Sequence, residues 1–192
     1  MKWFNQIVTA LLATTALAAP APPKASAETA YYNLRVLSKF EKSLDDKLLS
    51  VFQDKVGVFS GAPAVSFFPV NVSDNATEPK YQLHTSPIGI VQTVLGLVGS
   101  DSLSTLMQIS DPYQLEFPDG VKADWSSWDM VERVEGEQIN SYLNYVGSPE
   151  GTWIAFPETG LDNWTVTWYD GIAVLPQHYM PIEVIYEKVM QG

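Results

Sequence analysis

The sequence predicts an all-β fold: an antiparallel sandwich or open barrel, with room for one short helix. Three observations predict it. Segments of strand-forming residues recur about every 8–12 residues, separated by turn pairs. The clearest of them, NWTVTWYDG at 163–171, sets Trp164, Val166 and Trp168 on one face and Thr165, Thr167 and Tyr169 on the other, before an Asp170-Gly171 turn. The composition, 46% hydrophobic and 17% charged, is that of a globular chain rather than a disordered one.

The chain opens with Lys2 and an apolar run, Ile7 to Leu17, closing on Ala16-Leu17-Ala18. A positive start, a short apolar stretch and an Ala-x-Ala end predict a secretory signal peptide, residues 1–18, cleaved after Ala18. The run is short of the roughly 20 residues that span a bilayer. APAPPKASAET, 19–29, reads as a flexible leader. Residues 30–192 are expected to form a single β-rich domain.

YYNLRVL at 31–37 alternates Tyr32, Leu34 and Val36 against Asn33 and Arg35, as a half-buried strand does. Residues 39–55 are ambiguous. Phe40, Leu44, Leu48 and Phe52 recur at helical spacing, whereas LLSVF is also a good strand. FSGAPAVSFFPV, 59–70, reads as a loop and then a strand, and KYQLHTS, 80–86, alternates again. The long apolar region 88–109 is broken by Gly89, Gly96 and Gly99, which argues against one helix; GSDS is its turn between two strands. YQLEF (113–117), WDMVERV (128–134), INSYLNYV (139–146), GTWIAF (151–156) and PIEVIYEKV (181–189) complete the expected strands.

Charge is uneven. Residues 19–100 carry seven Lys/Arg and seven Asp/Glu, whereas 101–192 carry three against fifteen. Such an acidic half repels phosphate backbones, so nucleic acid is not an expected partner. The absence of cysteine excludes a thiol nucleophile, a thiolate metal site and a disulfide scaffold. The sequons Asn71-Val72-Ser73, Asn75-Ala76-Thr77 and Asn163-Trp164-Thr165 agree with export and are expected glycosylation positions.

Catalytic signatures are weak. There is no G-x-S-x-G elbow, and His84 and His178 each stand alone, so no triad is read. Asp119, Asp124 and Asp129 do not keep the spacing of a calcium loop, and neither metal nor cofactor is expected. Acids are plentiful but unpaired. Glu132 differs in sharing the Trp128/Met130 face, where a carboxyl would lose water and rise in pKa. Aromatic residues give a better signal. Five tryptophans fall between 125 and 168; Trp153, Trp164 and Trp168 are expected in the core, and Trp125 and Trp128, in ADWSSWD, half exposed as ligand contacts.

The order LRVLSK, LDDKLLSVFQDKVGVFSG, GTWIAFPE, NWTVTWYDG, MPIEVIYEKV resembles a family of secreted ascomycete fungal proteins, over about residues 31–189. The resemblance implies a small exported protein with one mostly-β domain and no assigned function. It brings no catalytic residues, and it favours strand for 47–53. The expected function is that of a secreted, non-enzymatic glycoprotein, extracellular or in the cell wall, that binds carbohydrate or a surface protein. A small acid hydrolase with paired carboxylates and a host-directed effector are the alternatives.

Overall fold

A computed structural model describes residues 29–74, 78–85, 91–100, 102–136, 138–158, 162–175 and 178–189. The expected signal peptide, all but the last residue of the leader, and Asn75 lie outside them. The fold is all-β. In chain order the strands are β1 (Tyr32–Leu37), β2 (Lys47–Leu48), β3 (Ser50–Phe52), β4 (Lys55–Val58), β5 (Ser66–Asn71), β6 (Tyr81–Thr85), β7 (Thr93–Ser100), β8 (Leu103–Ser110), β9 (Lys122–Asp124), β10 (Trp128–Glu135), β11 (Gln138–Tyr145), β12 (Thr152–Pro157), β13 (Trp164–Tyr169), β14 (Met180–Pro181) and β15 (Glu183–Lys188).

All fifteen belong to one antiparallel sheet, open rather than a closed barrel, whose path runs β10-β11-β15-β1-β5-β6-β7-β8-β4-β13-β12-β14. One extra bridge curls part of this sheet. Trp128 of β10 pairs with Tyr81 of β6, so strands β10, β11, β15, β1, β5 and β6 return on themselves as a ring. Inside it pack Leu34, Phe67, Leu83, Trp128, Leu143 and Val184, all buried. Strand alternation delivers them, because each lies on the same face of its strand as the next inward residue two positions on. Arg35, on the outer face of β1, fastens the ring by bonding Glu187 of β15 at 2.6 Å and the Asp46 carbonyl at 2.6 Å.

The structure settles one ambiguity and corrects one expectation. No helix occurs among the described residues: the spacing of Phe40, Leu44, Leu48 and Phe52 is not used, since Leu44 is buried while the other three are exposed. A single turn forms instead, with Leu44 N and Asp45 N donating to Glu41 O. It is stopped at Asp46, whose φ of 60° a helix does not accept. Residues 113–117 are not a strand. Asp111, at φ 47°, starts a turn in which Gln114 N donates to Asp111 O, and the segment crosses the outside of the sheet as a loop. On β13 Thr165 and Thr167 are buried along with Val166 and Trp168, and both strand edges are paired, one by β12 and the other by β4 and β8.

Candidate functional site

Asp124 organises the ADWSSWD turn. Its Oδ1 accepts from Ser126 N at 2.8 Å, and its Oδ2 accepts from Ser127 Oγ at 2.6 Å and Tyr145 Oη at 2.9 Å. The turn sends its two tryptophans to opposite destinations. Trp125 stays half exposed. Trp128 is a correction to the expected contact pair: it is 0% exposed, its Nε1 donates to Leu95 O at 3.0 Å, and it stacks on Trp153 with centroids 6.1 Å apart. Its burial follows from β10 beginning at that residue and closing the ring against β6. Trp153 and Trp168 are core as expected, and Trp164 is half buried.

The exposed partner of Trp125 lies outside ADWSSWD. Tyr113, 70% exposed, meets it edge-on, with centroids 5.8 Å apart and planes at 88°. From there a run of side chains in direct contact crosses the outer face of β5 and β6. Gln82 Nε2 donates to Tyr113 Oη at 3.2 Å, so the Gln82 oxygen takes the proton of His84 Nε2 at 3.1 Å. His84 stacks on Phe68 at 5.5 Å with planes 26° apart, and Phe68 meets Tyr31 edge-on at 5.6 Å. Phe68 faces His84 directly in the β5–β6 register, and Val70 faces Gln82. The sheet therefore spaces these groups, and the 111–121 loop adds Tyr113 at one end. The result is a strip of five rings and one amide, partly exposed throughout.

Compared with protein-family models, curated proteins and solved structures, the chain finds no match. The strip is accordingly characterised by its own chemistry.

Of its members, the sequence singled out Trp125 and marked His84 only as solitary. The alternation of Phe68 with Val70 and of Gln82 with His84 was the available signal, but pairing the two segments needs the register. Burial lowers the His84 pKa below its ordinary 6.5. The folded state therefore takes up a proton less readily than the unfolded chain. As pH drops below 6.5 the unfolded chain is protonated first and stability falls, until the folded imidazole titrates as well. A His84→Gln variant removes this contribution. Chemical denaturation of parent and variant between neutral and mildly acidic pH should show the parent losing more stability; parallel curves would refute it.

Three of the acids are held by their own neighbours. Glu158 bonds Lys55 Nζ at 2.7 Å and accepts a short hydrogen bond from the Thr165 hydroxyl; Lys55 first, then Thr165, holds its carboxyl below the usual range. Glu135 accepts from Tyr142 Oη at 2.8 Å, and Glu187 is taken by Arg35. Glu132 is exposed, though it does share the Met130 face. Among the described residues no group of three or more His, Asp or Glu could hold a metal, and Asp124 is engaged by its own turn. His178 is exposed.

The sequons differ in setting. Asn71 is exposed at the end of β5, its Oδ1 accepting from Ser73 N at 2.9 Å. Asn163 is half buried, and its Oδ1 accepts from Ser60 N at 3.0 Å. No helix among the described residues is long and apolar enough to cross a membrane.

Proposed function

We propose that this protein is a secreted, non-enzymatic binding domain that holds neutral carbohydrate against the strip from Tyr31 to Trp125. The observation that carries this reading is the unbroken contact run Tyr31–Phe68–His84–Gln82–Tyr113–Trp125. Aromatic faces carry negative charge density, and the C–H face of a pyranose carries positive; stacking one on the other hides apolar surface from water. A row of rings on a rigid sheet suits an extended chain of sugars and spends little entropy on binding. The polar edges of Tyr113, Trp125 and Gln82 supply hydrogen bonds to hydroxyls. The acidic C-terminal half favours uncharged polymers over phosphorylated or sulfated ones.

Export rests on the signal-type start and the sequons, and a fungal cell wall on the resemblance of the strand motifs. A paired-carboxylate hydrolase has less support, because Glu135, Glu158 and Glu187 are each held by their own neighbours.

Pull-down on insoluble glucan, chitin and cellulose, with a glycan array for soluble chains, tests the reading. The parent should be retained on at least one neutral polysaccharide. Trp125→Ala and Tyr113→Ala should each weaken retention by about tenfold, the equivalent of ~1.4 kcal/mol of lost ring contact, with unchanged thermal unfolding. No retention of the parent, or full retention of both variants, overturns it.

A further inference from the structure

A second recognition feature lies at one end of the six-stranded ring, on its inward face. A groove of about 610 Å³ opens there, and each of the six strands contributes to its lining. That volume is in the range of small-molecule sites. Its inner wall holds Tyr32, Tyr81, Met130, Glu132, Ser141 and Tyr186. By alternation Tyr32, Tyr81, Met130, Ser141 and Tyr186 stand one step outward from the buried Leu34, Leu83, Trp128, Leu143 and Val184, and Glu132 two steps from Trp128, so the core beneath fixes their backbone positions.

The rings of Tyr32 and Tyr186 make a corner, with centroids 5.6 Å apart and planes at 82°. Tyr81, paired with Trp128 and Asn71, lines the same groove. Glu132 lies opposite Ser141 in the β10–β11 register and brings a carboxylate to the same wall. Further out, Val134 faces Ile139, and both are exposed on the same side of the hairpin, which extends the apolar lip.

We propose that this groove is an aromatic cage for an alkylammonium cation, a trimethylammonium group above all. Three phenol rings offer negative π faces, Met130 and the hairpin lip receive methyl groups, and Glu132 balances the charge. That division of labour is what a bulky, weakly hydrated cation requires. Hard metal ions favour several carboxylate ligands, and among the described residues no group of three or more His, Asp or Glu gathers here.

Burial, chiefly, raises the pKa of Tyr186, and Glu132, Tyr32 and Tyr81 add to the rise, while the Ser141 hydroxyl acts the other way. The phenol therefore stays neutral. Two other charged groups face the groove. Glu187 is bonded to Arg35. Lys188 stands at the exposed rim, paired with Tyr32 in register. Lys188 repels a simple cation but attracts an anionic tail on the same molecule.

Titration calorimetry with choline chloride is the test, set against the neutral carbon isostere of choline in which a tert-butyl group replaces the trimethylammonium. Choline should bind about tenfold tighter or more, as a desolvated cation–π site predicts. Tyr186→Leu and Glu132→Gln should each lose most of this preference, while Tyr186→Phe keeps it. Lys188→Gln should strengthen choline and weaken phosphocholine. A trimethyl-lysine peptide, run beside these two, shows whether a small molecule, a lipid-type headgroup or a modified protein is the preferred carrier. Trp125→Ala, on the outer face, should leave choline binding unchanged, so this inference and the carbohydrate reading fail separately. Equal binding of choline and its isostere overturns the cage, as does a preference that survives Tyr186→Leu and Glu132→Gln.

Discussion

Replacing Trp128 with alanine should lower the free energy of unfolding by about 3–5 kcal/mol, the range for truncating a large buried aromatic. The side chain is 0% exposed and stacks on Trp153, which meets Trp168 edge-on at 5.0 Å. Tyr145 touches both Trp128 and Trp168. Truncation therefore opens a cavity where several large rings meet and little nearby can collapse into it. It also strips the Leu95 carbonyl of its indole donor. Because domains are stable by only about 5–15 kcal/mol, a loss of this size threatens folding at physiological temperature. Trp128→Phe separates the parts: it keeps much of the volume and loses the hydrogen bond, so about 1–3 kcal/mol should go. Urea unfolding of both variants measures this; an alanine variant within about 1 kcal/mol of the parent would mean that Trp128 is not a core residue.

The second large effect is expected at Gly57, in β4. A Cβ there would lie 2.0 Å from the Trp164 carbonyl oxygen and 3.0 Å from the Phe59 ring. The nearer obstacle is backbone, and β13 is itself held by β12 and β8, so it cannot step aside. Gly57→Ala must push β4 away from β13, at about 1–3 kcal/mol for an overpacked core and more if the Gly57–Thr165 pairing is lost. Gly61→Ala is the control. Nothing lies within 4 Å of a Cβ there, and only its φ of +77° opposes the methyl, so about 1 kcal/mol is expected. Equal midpoints for the two alanine variants in thermal unfolding would count against the steric account.

The all-β fold was legible because alternation is local. Tyr32/Leu34/Val36 and Trp164/Val166/Trp168 announce strands without knowledge of their neighbours. What alternation does not carry is which strand lies beside which. That is why Trp128, set in a polar turn sequence, reads as exposed: its burial depends on one bridge to Tyr81, a partner 47 positions back in the chain. The same gap hid the strip, whose members come from β5, β6 and three segments outside the strands. The helical spacing of Phe40 to Phe52 left 39–55 ambiguous for the opposite reason, and the strand favoured for 47–53 is present as β2 and β3. A local period was present, but Asp46 at positive φ and the pairing of β2 with β1 prevailed.

The packed indoles have an optical consequence. Trp128 and Trp153 lie with planes 10° apart, and Trp153 and Trp168 are nearly perpendicular at 84°. Transition dipoles held this close and at fixed mutual angles couple, and the chirality of their arrangement adds a circular-dichroism signal of aromatic origin. The signal belongs to the assembled core rather than to the strands. It vanishes when side-chain packing loosens, even where backbone structure persists. The cluster is thus a built-in spectroscopic gauge of native packing, readable without any label.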